Sequence, residues 1–460
     1  MNVIFYILDA LRPDFLGCYG FKRETSPFID LFSKDGVIYE NAYSTTTWTK
    51  ASAAAIITSQ YPITLQMMHE MDNMPDYENT LPRVLKRNNF KCYAASSNLF
   101  FSPSFGFSGF DEFFNLQMDE ELQKKRFKDP EGVGPFLEKA GTDKLVLPLS
   151  EDINEKIFPI FKKNKEAKNF IMVWSVDTHP PFFLRNNKSF FNNYPGDFIR
   201  GREVTNQNKE KAKSLYCDMI RYNDTQFGEL ISEMKKNNLY EDSLIIVAAD
   251  HGEAFGEHKG ILGRPSFGHS GIVYEEMIKV PLIVKYPNKK FAGKHCRAPV
   301  QLIDIYPTIL DVLHIEKKDI ELEGQSLNPL NLDFNKKRVI FTESQVDPLG
   351  TYSAAIRIGD KKMIKVDTPF YFGSNLKKIA RNILEKIQIP SRQFYNLFFD
   401  PLEKKNLEKR ERKEVNYFLE KYYEIKERCD IKKRLVGERK KNKVDEEVKK
   451  RLRGLGYFDK

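Results

Sequence analysis

Leu244-Ile245-Ile246-Val247-Ala248-Ala249-Asp250-His251-Gly252-Glu253 is a run of six apolar residues that ends at once in an acid and an imidazole. An unbroken apolar run lacks the alternation of a half-exposed strand and reads as a strand covered on both faces. The opening of the chain, Val3-Ile4-Phe5-Tyr6-Ile7-Leu8-Asp9, repeats the pattern: an apolar run closed by an acid. Further runs of this kind lie at 90–95, 170–175 and 281–285, and helical stretches lie between them at 27–34, 51–59, 81–88, 211–236 and 306–313. Strands alternating with helices predict an α/β fold with a mostly parallel central sheet flanked by helices.

In such sheets ligands bind beyond the carboxyl ends of the strands. Asp9 comes after the first strand, Asp177 and His179 after the strand at 170–175, and Asp250 and His251 after Leu244–Ala249. Three strand ends therefore deliver acids and imidazoles to one edge. A carboxylate closing a buried strand is costly unless paired, and a cation is its natural partner, with oxygen and nitrogen ligands side by side in Asp250-His251. The plainer reading is a helix-capping Asp beside a surface His.

Thr49 sits in Thr46-Thr47-Trp48-Thr49-Lys50-Ala51-Ser52-Ala53-Ala54-Ala55, where a hydroxyl run opens into an Ala-rich helix. Free N–H groups and the positive end of the dipole at a helix start suit an anion such as phosphate or sulfate. Thr is a poor nucleophile at its own pKa, and a divalent cation would activate it. Taken alone, Thr49 is more simply a helix cap. His179, in Asp177-Thr178-His179-Pro180-Pro181, and His269, in Gly268-His269-Ser270, are candidates to stabilise non-bridging oxygens or to protonate a leaving group. His69, His295 and His314 read as structural, and His258 fits either role.

The chain has 460 residues, 41% hydrophobic and 30% charged, and its net charge of +9 is unevenly placed. Residues 402–460 hold 21 Lys and Arg against 13 Asp and Glu, so the body is close to neutral. Val415, Phe418, Leu419 and Tyr422 recur at helical spacing among those charges, which favours a solvated amphipathic helix over the alternative of a nucleic-acid or membrane-surface role for the tail. The expected organisation is a catalytic domain over 1–335, a small antiparallel subdomain over 336–410 with strands near 338–343, 354–358 and 362–366, and a basic helical tail over 411–460. The aromatic, Asn-rich stretch 182–202 reads as an active-site loop. No apolar run reaches the roughly 20 residues of a membrane span. Five scattered cysteines without CxxC spacing argue against disulfides or structural zinc. With no signal-peptide pattern at the start, a cytoplasmic location is expected. Nothing in the sequence indicates an oligomeric state.

These motifs, in this order, resemble the sulfatase-like branch of the alkaline-phosphatase superfamily over nearly the whole chain. The resemblance is carried by Ile7-Leu8-Asp9-Ala10-Leu11-Arg12-Pro13-Asp14 with Gly17-Cys18-Tyr19-Gly20, and by Trp48-Thr49 through Thr58-Ser59-Gln60-Tyr61-Pro62. Asn98, Gly109-Phe110-Asp111, Asp250-His251-Gly252-Glu253, Gly268-His269, Glu323-Gly324-Gln325-Ser326-Leu327, Asn396-Leu397, Asp400-Pro401 and Leu452-Arg453-Gly454-Leu455-Gly456-Tyr457 continue it. The resemblance implies an alkaline-phosphatase-like fold and one divalent cation held by Asp9, Thr49, Asp250 and His251, with His179 and His269 around the substrate's oxyanion. The His ligand favours Zn or Mn over Mg or Ca. A second metal built from Asp177, His179 and His269 does not match the usual spacing of such sites.

The departures from the family pattern decide the chemistry. Thr49 stands where sulfatases carry the Cys that becomes formylglycine, and Ala51 and Ala53 replace the Pro and Arg of that signature. The modified residue therefore cannot form at the usual position. A phosphorylated Thr can be released by water, whereas a sulfated Thr lacks the collapse to an aldehyde available to formylglycine. The expected activity is hydrolysis of a small anionic phosphate or phosphonate ester. The alternatives are a sulfuric ester hydrolase, a phosphoethanolamine- or glycerophosphate-type transferase, and a non-catalytic binding module.

Overall fold

All six residues of strand β1 (Val3–Leu8) are buried, because a parallel strand flanks it on each side in the middle of an eight-stranded sheet. The other members, in chain order, are β2 (Val37–Tyr39), β3 (Phe90–Ser96), β4 (Glu112–Asn115), β5 (Lys168–Ser175), β6 (Leu244–Ala249), β7 (Leu282–Lys285) and β8 (Lys294–Cys296). Across the sheet the order is β8-β2-β7-β6-β1-β5-β3-β4. The contacts of β7 with β6 and β2 are antiparallel and the rest are parallel, so the sheet is mostly parallel, as the apolar runs predict. The short strands β2, β4 and β8 are absent from the sequence expectation.

This computed structural model describes residues 1–70, 72–122, 148–163, 167–184, 189–191, 198–199, 204–259, 265–269, 271–332, 337–346, 351–368, 389–436, 445–446 and 448–449. Helices α1 (Pro27–Ser33) and α4 (Ser150–Lys163) pack on α5 (Lys209–Lys236), while α2 (Thr49–Thr58) packs on α3 (Leu81–Arg87) and α6 (Ile305–Val312). Each predicted helix is present. The one shift of consequence is that α2 begins at Thr49 rather than at 51.

A second sheet, antiparallel and in chain order, is formed by β9 (Val339–Val346), β10 (Thr351–Ile358), β11 (Lys361–Asp367) and β12 (Arg392–Asn396). Its fourth strand is absent from the sequence expectation. Helix α7 (Arg412–Val436) lies on this sheet through Val415, Phe418, Tyr422, Ile425 and Cys429, which meet Phe341, Ile356 and Phe394. That stripe recurs every three or four residues, and it leaves the charged positions outside. Within the expected loop at 182–202, Phe182–Phe183 pairs with Phe198–Ile199; 185–188, 192–197 and 200–202 lie outside the described residues, as does the 452–457 motif. Among the described residues no helix is long and apolar enough to cross a membrane.

The strand register determines which residues emerge together at the sheet edge. Leu8 of β1 stands opposite Ser175 of β5 and Ala249 of β6. Asp9 and Asp250 are therefore the next residues on adjacent strands, at one edge of the sheet.

Candidate active site at the carboxyl edge of the sheet

Asp9 is fully buried, and its N–H donates to the Ser175 carbonyl at 2.9 Å, extending the β1–β5 ladder by one rung. Its carboxylate is unevenly served. Oδ2 accepts from Asn98 Nδ2 at 2.5 Å, Trp174 Nε1 at 3.3 Å and Thr49 Oγ1 at 3.3 Å. Among the described residues no donor reaches Oδ1. Ala10 then turns into the left-handed region at φ 58°, which costs a residue with a Cβ roughly 1–2 kcal/mol. The turn aims the Ala10 N–H at Asp250 Oδ1, 3.0 Å away.

Asp250 shows the same division. Oδ1 takes the N–H groups of Ala10 and His251, each at 3.0 Å, and no described donor reaches Oδ2. Its backbone carbonyl accepts the hydroxyls of Ser44 at 2.5 Å and Ser52 at 2.9 Å. His251 directs Nδ1 at the Gly252 carbonyl, 2.9 Å away. Nδ1 therefore carries the proton, and Nε2 presents a lone pair. That lone pair lies 3.3 Å from Asp250 Oδ2, 3.6 Å from Asp9 Oδ1 and 3.4 Å from Thr49 Oγ1. Glycine at 252 is required for this turn, because a Cβ there would lie 2.1 Å from the Glu276 carbonyl oxygen.

Electron-rich atoms thus converge in a buried space where no described donor serves Asp9 Oδ1 or Asp250 Oδ2. Burial, and then the charge of Asp9, push the Asp250 carboxyl well above the usual carboxylate range. Burial, and then the neighbouring His269, hold His251 well below the usual imidazole value. Both shifts record how poorly the site tolerates its own charges. One divalent cation suits the donor set, since the ligand atoms of Asp9, Asp250 and His251 all lie within 4.8 Å of one another.

Thr49 is the first residue of α2, and the N-cap is Trp48, so the Thr hydroxyl is not used as a cap. Every residue of α2 is buried. Lys50, beside it, turns away: its Nζ donates to the Glu70 carbonyl and lies 4.2 Å from the Phe105 ring centroid.

The two remaining candidate imidazoles come to the same edge. His269 stacks on His251 with ring centroids 4.5 Å apart, and His179 lies 4.7 Å from His269. His269 Nδ1 meets Glu253 Oε2 at 2.8 Å. Burial lowers its pKa, but the Glu253 carboxylate raises it further, and the balance is upward. His179 directs Nδ1 at the Pro180 carbonyl at 2.5 Å, and burial holds it below the ordinary value.

Of the third strand end, His179 comes to the site while Asp177 is engaged elsewhere. Its Oδ2 accepts from Ser150 N, Ser175 Oγ and Asn223 Nδ2 at 2.9–3.0 Å, fastening α4 and α5 to the end of β5. Conversely, Asn98, Trp174 and Glu253 carry parts of the site to which sequence reasoning assigns no role. Asn98 lies two residues beyond a strand, so the strand-end rule that picks out Asp9 could have found it. The roles of Trp174 and Glu253 are visible only in three dimensions.

A covered α/β sheet with a hydroxyl, two carboxylates and three imidazoles at its carboxyl edge is an arrangement suited to a cation beside a nucleophilic group. The chain belongs to the sulfatase family, whose model matches residues 1–315. It is 25% identical over 342 residues to an ulvan-active sulfatase of Formosa agariphila, covering 72% of this chain and 64% of that protein. It is 23% identical over 383 residues to an arylsulfatase of Clostridium perfringens, covering 72% of this chain and 78% of that one. The chain thus spans just under two thirds of the ulvan-active relative. Its fold is similar to the phosphonate monoester hydrolase of Agrobacterium radiobacter, with a TM-score of 0.69 and 16% identity over 93% of this chain and 96% of that one. It is equally similar, at a TM-score of 0.69 and 18% identity over 93% and 98% of the two chains, to a protein solved with its substrate D-glucosamine-2-N,6-O-disulfate.

Proposed function

We propose that this chain is a divalent-metal-dependent hydrolase of a phosphate or phosphonate ester, with Thr49 as the attacking group. The observation that carries the reading is the place of Thr49 Oγ1, 3.3 Å from Asp9 Oδ2 and 3.4 Å from His251 Nε2. Asp9, Asp250, His251 and Thr49 would hold the cation, and the imidazole favours Zn or Mn over Mg or Ca. When bound, the cation supplies charge neutralisation and lowers the pKa of the hydroxyl.

The chain's own groups complete the cycle. Asn98 and Trp174 fix Asp9 through Oδ2. Thr49, its hydroxyl proton released to solvent before the cycle begins, attacks phosphorus through Oγ in line as the bond to the leaving oxygen breaks, and it departs in the second half in the same deprotonated form. His269, whose Nδ1 meets Glu253 Oε2, gives a proton from Nε2 to that oxygen, and His179 Nε2 faces the non-bridging oxygens. In the second half a water attacks phosphorus, passes a proton to His269 Nε2, and Thr49 leaves. The net change is an ester and water converted to an alcohol and the free acid.

An ordinary hydroxyl at 49, with Ala51 and Ala53 beside it, supports phosphorus over sulfur. The fold shared with phosphonate monoester hydrolases is compatible with that preference. The names of the sequence relatives favour a sulfuric ester as the second reading. Five free cysteines support a reducing, cytoplasmic setting. The test is intact-mass analysis after mixing metal-loaded protein with aryl esters of phosphate, phosphonate and sulfate. We expect an adduct from a phosphorus ester that is absent in Thr49→Ala. Turnover of the aryl sulfate alone would overturn the phosphorus assignment.

A further inference from the structure

The segment that leads into α2 is gripped from outside the catalytic sheet. Residues Ser44, Thr45, Thr46 and Thr47 are fully buried, and β9 of the C-terminal sheet runs along three of them. Thr342 Oγ1 donates to the Ser44 carbonyl at 2.8 Å, the Glu343 N–H donates to the Thr45 carbonyl at 2.9 Å, and the Thr47 and Ser344 hydroxyls meet at 2.6 Å. Ser44 in turn donates its hydroxyl to the Asp250 carbonyl.

Glu343 also holds the other flank of the helix. Its side chain is fully buried, and Oε1 accepts the Ile63 N–H at 2.8 Å while Oε2 accepts the Tyr352 hydroxyl at 2.8 Å. Through its backbone it therefore holds Thr45, ahead of α2, and through its carboxylate it holds Ile63, just beyond it. Tyr61 adds an edge-on contact with Phe341, ring centroids 5.0 Å apart. An all-buried helix clamped at both flanks has little freedom to slide or rotate.

From this geometry we infer that Glu343, with Ser344 beside it, is a positioning residue for Thr49: the C-terminal sheet sets the register of α2 against Asp9, Asp250 and His251. The inference rests on Thr49 being the attacking group. Misplacement of a reacting atom by about 1 Å costs on the order of 10²-fold in rate, so a clamp of this kind acts on kcat rather than on substrate binding.

The test compares metal-loaded Glu343→Ala, Glu343→Gln, Ser344→Ala and Thr47→Val. Two readouts are used: steady-state kinetics on the best aryl ester, and the Thr49 methyl signal in threonine-methyl-labelled protein. Glu343→Ala should lower kcat about 30-fold with KM nearly unchanged. Glu343→Gln keeps an acceptor for Ile63 and should restore most of the loss. Ser344→Ala and Thr47→Val should each lower kcat about three- to tenfold and broaden or split the Thr49 signal. These two decide the matter if Glu343→Ala does not fold. An unmoved Thr49 signal with unchanged kcat in both overturns the inference, as does loss of metal in parallel with rate. If the wild-type protein turns over no ester and forms no adduct, the assignment of Thr49 fails, and the methyl signal alone then decides the clamp.

Discussion

Among the described residues, two clusters gather His and acid side chains within metal-ligand distance: Asp9, Asp250 and His251, and His258, Glu276 and Glu403. They differ in what their lone pairs already do. In the second, His258 Nδ1 meets Glu276 at 2.7 Å, Nε2 faces the Glu403 carbonyl at 3.2 Å, and the ring stacks on Tyr274. Glu403 is met by Lys362 Nζ at 2.8 Å and by the Glu275 N–H at 2.8 Å, and Lys362 and Arg357 both reach Glu275. A lysine cation faces the one Glu403 oxygen that accepts no hydrogen bond, whereas the first cluster leaves one oxygen of each carboxylate and a bare imidazole nitrogen facing one another with no cation from the described residues. Proximity of ligand types is therefore a weak sign of a metal site. Valence left over after the protein's own bonds are counted is the stronger one.

The contrast can be broken most directly at Asp250. Asp250→Asn should cost about 10³-fold or more in kcat/KM, the scale of losing a charge-stabilising group, and should abolish metal binding measured by elemental analysis. The matching Glu276→Gln should retain its full metal content; parallel losses would erase the distinction. His269→Ala should lower kcat by about 10²- to 10⁴-fold, the range for general acid catalysis, with metal content intact. Lys362→Met strands the buried Glu403 carboxylate, while Glu275 keeps Arg357, and should destabilise the fold by about 3–5 kcal/mol in denaturant melts.

A pH series sharpens the comparison further. Burial, only partly offset by Lys362, holds Glu403 above the usual carboxylate range. The folded protein therefore binds this proton more tightly than the unfolded chain does. The associated stability is complete below the ordinary Glu value, about 4.3, and is lost as pH rises through the raised one. Glu403→Gln should remove that loss, so the variant's melting temperature should gain on the wild type between about pH 5 and 8. An equal difference at both ends would show that Glu403 does not titrate in this window.

How much of this was legible in the sequence depends on the physics of each part. Val3–Leu8 and Leu244–Ala249 announce buried parallel strands because no polar residue interrupts them, and Asp9 and Asp250-His251 stand out as the first polar residues after them. Asp177 looks equivalent in sequence, yet it faces Ser150 and Asn223, because a chain leaving a strand is no longer bound to the pleat's alternation. Asn98 also follows a strand end and carries family likeness, but that its amide braces the Asp9 carboxylate shows only in the folded chain. The strand Arg392–Asn396 is hidden because it lies well beyond its partner Lys361–Asp367 in sequence. The grip of Glu343 on both flanks of α2 joins residues some 280 positions apart, which no local pattern can carry.

The complete burial of α2 also bears on how such enzymes diverge. A formylglycine signature needs an arginine at position 53, where Ala53 now has no solvent exposure. An unpaired guanidinium there would cost several kcal/mol, a large part of the stability of a typical fold. Thr49→Cys by itself would yield an unmodified thiol. On the proposed reading of Thr49 as the attacking group, exchange for a formylglycine would meet a folding barrier at position 53, and repacking around the helix would have to come first.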